Sequence, residues 1–112
     1  MFRSAEMRSL VVEEPLPERL LANILRQTTW IMTGGSPHFR HGALNELRSN
    51  LHLVHRYVRS EHVLQTANIL FEMATNVAAH RVSDSGSIQK LRSVLGEFEQ
   101  AMKVYLTKMK QG

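Results

Sequence analysis

The sequence of 112 residues lacks cysteine, contains one aspartate and has no long apolar run. Without cysteine the chain can form no disulfide, thiolate metal site or cysteine nucleophile, and this composition suits a cytoplasmic protein. A membrane span needs about 18 consecutive apolar residues, so we predict no contact with a membrane. Charged Arg3 and Glu6 interrupt the N-terminus before an apolar run can form, which argues against a secretory signal.

Groups suited to catalysis are also scarce. The single aspartate, Asp84, falls in the polar segment 83–87, and the serines occur mainly where helices are expected to begin. The segment Gly34-Gly35-Ser36-Pro37 lacks the lysine and the spacing of a phosphate-binding loop, although the helix that follows it could bind an anion at its N-terminus. We therefore predict that the protein is not an enzyme and binds no cofactor.

The C-terminal segment has the most regular pattern in the chain. Its apolar residues are spaced three and four positions apart over about three heptads, which predicts one long amphipathic helix. We call this set the C-terminal seam: Ile88, Leu91, Leu95, Phe98, Met102, Tyr105 and Met109. On the same helix Glu99 and Lys103 are placed to form an ion pair one turn apart.

Three further helices are predicted upstream. The first begins at Pro17 and ends at Gly34-Gly35, because proline suits a first helical position and glycine a left-handed stop. The second follows Ser36-Pro37 and carries apolar residues from Leu44 to Val58 at heptad spacing. The third runs from about Glu61 to Ala79, and either a cap at Ser60-Glu61 or a smooth bend would separate it from the second.

These patterns predict one all-α domain spanning residues 1–112. It is a bundle of four main helices with short turns, preceded by an N-terminal arm at residues 1–15. The seams on the second and fourth helices are longer than one small bundle needs, so we expect a homodimer. Four residues are expected to divide between the core and a surface shared with the second chain: Phe98, Met102, Tyr105 and Met109.

Histidines occur in pairs three residues apart, His38 with His41 and His52 with His55, a spacing that can share a metal ion. A zinc site needs a third ligand, and few carboxylates lie nearby in the sequence, so we predict no metal site. A phosphotransfer histidine at His52 or His55 is a further alternative, but the lysine-glycine pattern of such proteins is missing.

A stripe of polar residues adjoins the apolar face of the second helix. Its members are His41, Asn45, Arg48, His52, His55 and Arg59. The stripe is mildly basic and would become strongly basic in acidic solution, where histidine gains a proton. It is either a solvated face or a pH-sensitive docking surface for an acidic partner. The chain's net charge of +4 also permits weak nucleic-acid binding.

Two family resemblances suggest a function. Ile31-Met32-Thr33-Gly34, the leucine spacing of the second helix and the segment 68–75 resemble the biofilm and acid-resistance connector proteins of the AriR/YmgB type. The likeness covers residues 25–75 and does not extend to the long fourth helix. That helix is loosely similar, around Phe98-Glu99-Gln100-Ala101, to quorum-sensing antiactivators. Both resemblances imply a non-enzymatic bacterial regulator.

The sequence thus predicts a regulator or adaptor that binds and modulates a regulatory protein, such as a transcription factor, through a helical surface. Aromatic residues and arginines are common interface anchors. The residues we expect to contact the partner are Trp30, Phe39, Arg48, His52, His55, Tyr57 and Arg59, with Phe2 as a further candidate. One alternative is a DNA-binding regulator that uses the turn at Gly34–Ser36 and the basic second helix. A second alternative is a secretion chaperone or assembly subunit.

Overall fold

The computed structural model describes residues 16–34, 36–79 and 85–111 and confirms the predicted all-α, four-helix bundle. The helices are α1 at Leu16–Thr33, α2 at Pro37–Tyr57, α3 at Glu61–Ala79 and α4 at Ser85–Gln111. No strand occurs in these three ranges. The predicted N-terminal arm, residues 1–15 with Phe2, lies outside the described residues.

Local signals account for the end of α1 and for the starts of α2 and α3. Gly34 follows α1 at a φ of 93°, the left-handed conformation that glycine adopts most readily. Ser36 caps α2, because its Oγ accepts a hydrogen bond from the Phe39 amide at 3.1 Å. Ser60 Oγ accepts one from the Val63 amide at 3.3 Å, so a cap rather than a smooth bend begins α3.

Neighbouring helices run antiparallel. The end of α1 contacts the start of α2, where the rings of Trp30 and Phe39 meet. The start of α1 meets the end of α4, where Lys110 pairs with Glu18 at 3.2 Å. Helix α1 packs against all three other helices, whereas α2 and α4 lie on opposite sides and do not touch along their lengths. Of the two diagonal pairs of helices in the bundle, α1 and α3 are therefore the pair in contact.

The core is formed by one apolar stripe from each helix. Its largest fully enclosed side chains include Phe98 and Met102 of α4, Ile24 and Ile31 of α1, and Leu47 of α2. Small residues on α3, Ala67 and Ala74, have no exposed area. These alanines let α1 and α4 approach α3 closely, as expected for a helix that packs against several neighbours.

Helix α4 extends beyond the predicted segment at both ends. It begins at Ser85, three residues before the first apolar residue of the seam, and continues to Gln111. Phe98 and Met102 are fully buried within the protomer, Tyr105 is partly buried, and Met109 is 54% exposed. The predicted Lys103–Glu99 ion pair is present at 3.0 Å.

Candidate functional site

An exposed aromatic cluster lies where α1 passes into α2. The rings of Trp30 and Phe39 lie 5.8 Å apart, centroid to centroid, at an interplanar angle of 58°. The guanidinium carbon of Arg26 lies 5.6 Å from the Trp30 ring centroid, within range of a cation–π interaction. Trp30 and Phe39 are 36% and 45% exposed. We call these three residues the aromatic end cluster.

A polar contact between α1 and α2 fixes the position of this cluster. Gln27, 4% exposed, donates from Nε2 to Glu46 Oε1 at 3.3 Å and accepts at Oε1 from Asn50 Nδ2 at 3.0 Å. Asn50 also donates to the Glu46 carbonyl at 2.9 Å. Because a buried amide must satisfy its hydrogen bonds, this contact specifies one alignment of the two helices. Trp30 lies one turn beyond Gln27 and is therefore held beside Phe39.

The polar stripe predicted on α2 lies exposed beside α3. The Arg48 guanidinium is 5.6 Å from the Phe71 ring centroid, and His55 Nε2 lies 2.9 Å from Asn68 Oδ1. His52 is exposed between them. The stripe ends at Arg59, whose amide donates to the Tyr105 hydroxyl at 3.3 Å. Two of the basic side chains are thus positioned by α3.

The predicted partner-binding residues are brought together in two separate places. Trp30 and Phe39 belong to the aromatic end cluster, whereas Arg48, His52 and His55 lie on the other flank of α2. Tyr57 is 50% exposed at the far end of α2, about 27 Å from Phe39 at 1.5 Å per residue. One partner surface covering all seven predicted residues would have to wrap around α2.

The predicted dimer residues are also divided. Phe98 and Met102 have no exposed area, so a second chain could contact only Tyr105 and Met109 of the four. Met109 lines a small crevice with Pro17, Leu106 and Lys110. Of these four residues, the two that remain accessible lie near the end of α4.

Sequence reasoning missed a groove between the start of α3 and the second half of α4. It measures about 620 Å³, and its lining includes the basic residues Arg59, His62 and Lys108 and the apolar Val104, with Glu97 at one side. Val104 is 47% exposed. The residues come from elements far apart in sequence, so helical periodicity alone gave no signal for this groove.

Sequence reasoning also missed the position of Arg40. Arg40 is basic, but it is 8% exposed and faces the same side as Leu44 and Leu47. Its Nε atom is enclosed and has no hydrogen-bond partner. The signal lay in its spacing, since Arg40 stands four residues before Leu44 on the apolar stripe.

Neither a metal-binding cluster nor a membrane-spanning helix occurs among the described residues. No group of three or more His, Asp or Glu side chains among the described residues is placed to hold a metal ion. None of the four helices combines the length and the apolar character needed to span a bilayer. Comparison of the chain with protein families, curated proteins and solved structures yields no match. The case for a function therefore depends on the surfaces themselves.

Proposed function

We propose that the protein is a small non-enzymatic regulator or adaptor that binds a regulatory protein, such as a transcription factor, through a helical surface. The aromatic end cluster is the observation that carries this proposal. Trp30 and Phe39 keep a large part of their surface in water while contacting each other and Arg26. Tryptophan and arginine are among the residues that contribute most to protein interfaces.

The cluster also has the rigidity that a docking site needs. The short α1–α2 connection and the buried Gln27 contact hold its two helices in one alignment. A partner that covers the two rings therefore loses little conformational entropy on the side of this protein. The partner we favour presents an apolar side chain to the rings and an acidic one to Arg26.

The test is to capture partners from the host with the tagged protein and to identify them by mass spectrometry. We expect a regulatory protein to be recovered, and W30A or F39A to weaken its binding. Truncating a central interface residue costs about 2 kcal/mol or more, which corresponds to roughly 30-fold in Kd. I69A is the matched control, because Ile69 is 44% exposed on α3, away from the cluster.

Two results would contradict the proposal. One is a partner whose Kd is the same for W30A, F39A, I69A and the unmodified chain. The other is steeply salt-dependent binding to duplex DNA that falls when Arg48 or Arg59 is replaced, because counterion release is the signature of phosphate contacts. The second result would favour the DNA-binding alternative, for which the exposed stripe on α2 supplies the charge.

Recovery of an exported protein or an assembly subunit would favour the chaperone alternative.

Circular dichroism of W30A and F39A should match that of the unmodified chain, whichever partner is found. Trp30 and Phe39 are exposed rather than part of the core, so their truncation leaves the bundle intact.

A further inference from the structure

The buried Arg40 side chain has no partner for its charge. It is more than nine-tenths buried, and its Nε is enclosed without an acceptor. The ion pairs within the described ranges join Lys103 to Glu99 and Lys110 to Glu18, and none involves Arg40. Removing a guanidinium from water without a counter-ion is costly, and buried arginines are ordinarily paired. An unpaired buried guanidinium of this kind is suited to binding an anion.

The position of Arg40 directs it toward the N-terminus of α2. Arg40 is the fourth residue after the cap Ser36, and its own amide donates to the Ser36 carbonyl at 3.1 Å. Helical side chains tilt toward the N-terminus, so a long side chain at this position covers the first turn. A guanidinium in that position adds its charge to the positive end of the dipole of this 21-residue helix.

A backbone donor is available beside it. Pro37 has no amide hydrogen, and the Phe39 amide is taken by Ser36 Oγ. The His38 amide has no partner among the described residues. The Nε of Arg40 is enclosed, whereas its terminal nitrogens are not among the enclosed atoms, so an ion can reach them from solvent.

We propose that the N-terminus of α2 binds a phosphate-type oxyanion, held by the terminal nitrogens of Arg40 and the His38 amide. Guanidinium groups bind phosphate through paired hydrogen bonds, and helix N-termini favour anions. A dianion gains from both sources of positive charge, which favours phosphate over a carboxylate. This site adjoins Phe39 of the aromatic end cluster but uses no side chain of that cluster, and it does not depend on the proposed function.

Titration of the full-length protein with inorganic phosphate at constant ionic strength tests the proposal. The readouts are the NMR shift of the His38 amide and the thermal midpoint. We expect saturable binding of one phosphate and a midpoint that rises with phosphate concentration, as linkage requires. In R40M we expect binding to weaken about tenfold or more, the loss associated with a charge-assisted hydrogen bond.

R56M is the matched control. Arg56 is exposed near the other end of α2, so its replacement removes the same charge without touching the site. R40M should fold, because an apolar side chain of similar size at a buried unpaired charge is commonly neutral or stabilising. R40K provides a second variant, which keeps the charge but loses the paired donors, and its phosphate binding should also weaken.

The proposal is overturned if phosphate shifts the His38 amide equally in R40M and the unmodified chain. It is also overturned if R56M and R40M lose the response to the same extent, because the effect would then be general charge screening. A parallel titration with acetate separates the two kinds of oxyanion. Tighter saturation by acetate than by phosphate would overturn the assignment to phosphate.

Discussion

The hydroxyl of Thr28 lies in the core without a hydrogen-bond partner, although the residue has no exposed area. Four other threonines of the bundle donate to a carbonyl one turn earlier: Thr29, Thr33, Thr66 and Thr75. A buried polar group without a partner retains the cost of losing its water. Replacing Thr28 by an apolar residue of similar size should therefore stabilise the protein.

We expect Thr28→Val to raise the free energy of unfolding by about 1–2 kcal/mol, because it removes the unpaired hydroxyl at nearly constant volume. Chemical denaturation measures the change. Thr29→Val is the control, since Thr29 is exposed and its hydroxyl donates to the Leu25 carbonyl at 2.8 Å. A surface change of this kind stays within about 0.5 kcal/mol. Destabilisation by Thr28→Val would mean that the hydroxyl has a partner.

Residue-level prediction from the sequence succeeded where the cause is local and failed where it is not. Gly34 and Ser36 were predicted as stop and cap signals, and a cap at Ser60 was one of two possibilities, because each acts on backbone within a few residues. The burial of Gln27 and Arg40 depends on which neighbouring helix faces them. The local sequence does not identify that neighbour, so neither burial was predicted.

At the level of the helix, Gly96 lies in the interior of α4, where glycine is less favourable than alanine. A close helix crossing is the usual reason for a glycine at such a position. A Cβ built at Gly96 meets no atom within 4 Å, and the position is exposed. No neighbour requires the missing side chain, so the glycine carries only its entropic cost.

We therefore expect Gly96→Ala to stabilise the protein by about 1 kcal/mol, the difference in helix propensity between the two residues. Thermal denaturation with a two-state analysis is the measurement. Gly34→Ala should act in the opposite direction, because φ at Gly34 is 93° and an L-residue is strained there. Equal effects of the two substitutions would show that backbone conformation does not govern these positions.

The helix ends show the same limit of sequence reasoning. Apolar periodicity placed the start of the fourth helix at Ile88, but α4 begins at Ser85. The three residues before Ile88 are serine and glycine, and apolar periodicity reports only the residues that pack. The boundaries of α3 matched the prediction because a cap and an apolar stripe coincide at Glu61.

At the scale of the whole molecule, the arrangement of four helices followed from their stripes and short connections. The partner-binding surface could not be derived from the sequence, because the seven residues chosen by type lie on both flanks and at the far end of α2. Their separation depends on the rotation of α2 between α1 and α3. That rotation is set by the packing of all four helices together.

We expect the protein to form a homodimer through Tyr105, Met109 and the lysines around them at the end of α4. In a two-fold interface the lysines of both chains would approach each other. Association should therefore strengthen with added salt, which screens this repulsion. Met109→Glu should favour the monomer, and Ile69→Glu, on α3, should not.

Light scattering across a salt series measures the degree of association. A protein that stays monomeric at every salt concentration would contradict the predicted dimer. Phe98 and Met102 would be unaffected in either case, because the protomer already encloses them.

Trp30 is the chain's single tryptophan, and it lies at the surface between Arg26 and Phe39. The protein thus carries a built-in fluorophore at its aromatic end cluster. A partner that covers the indole would shift the emission to shorter wavelength, while events at the far end of α4 would leave the spectrum unchanged. Occupancy of this surface can therefore be followed optically in the unlabelled protein.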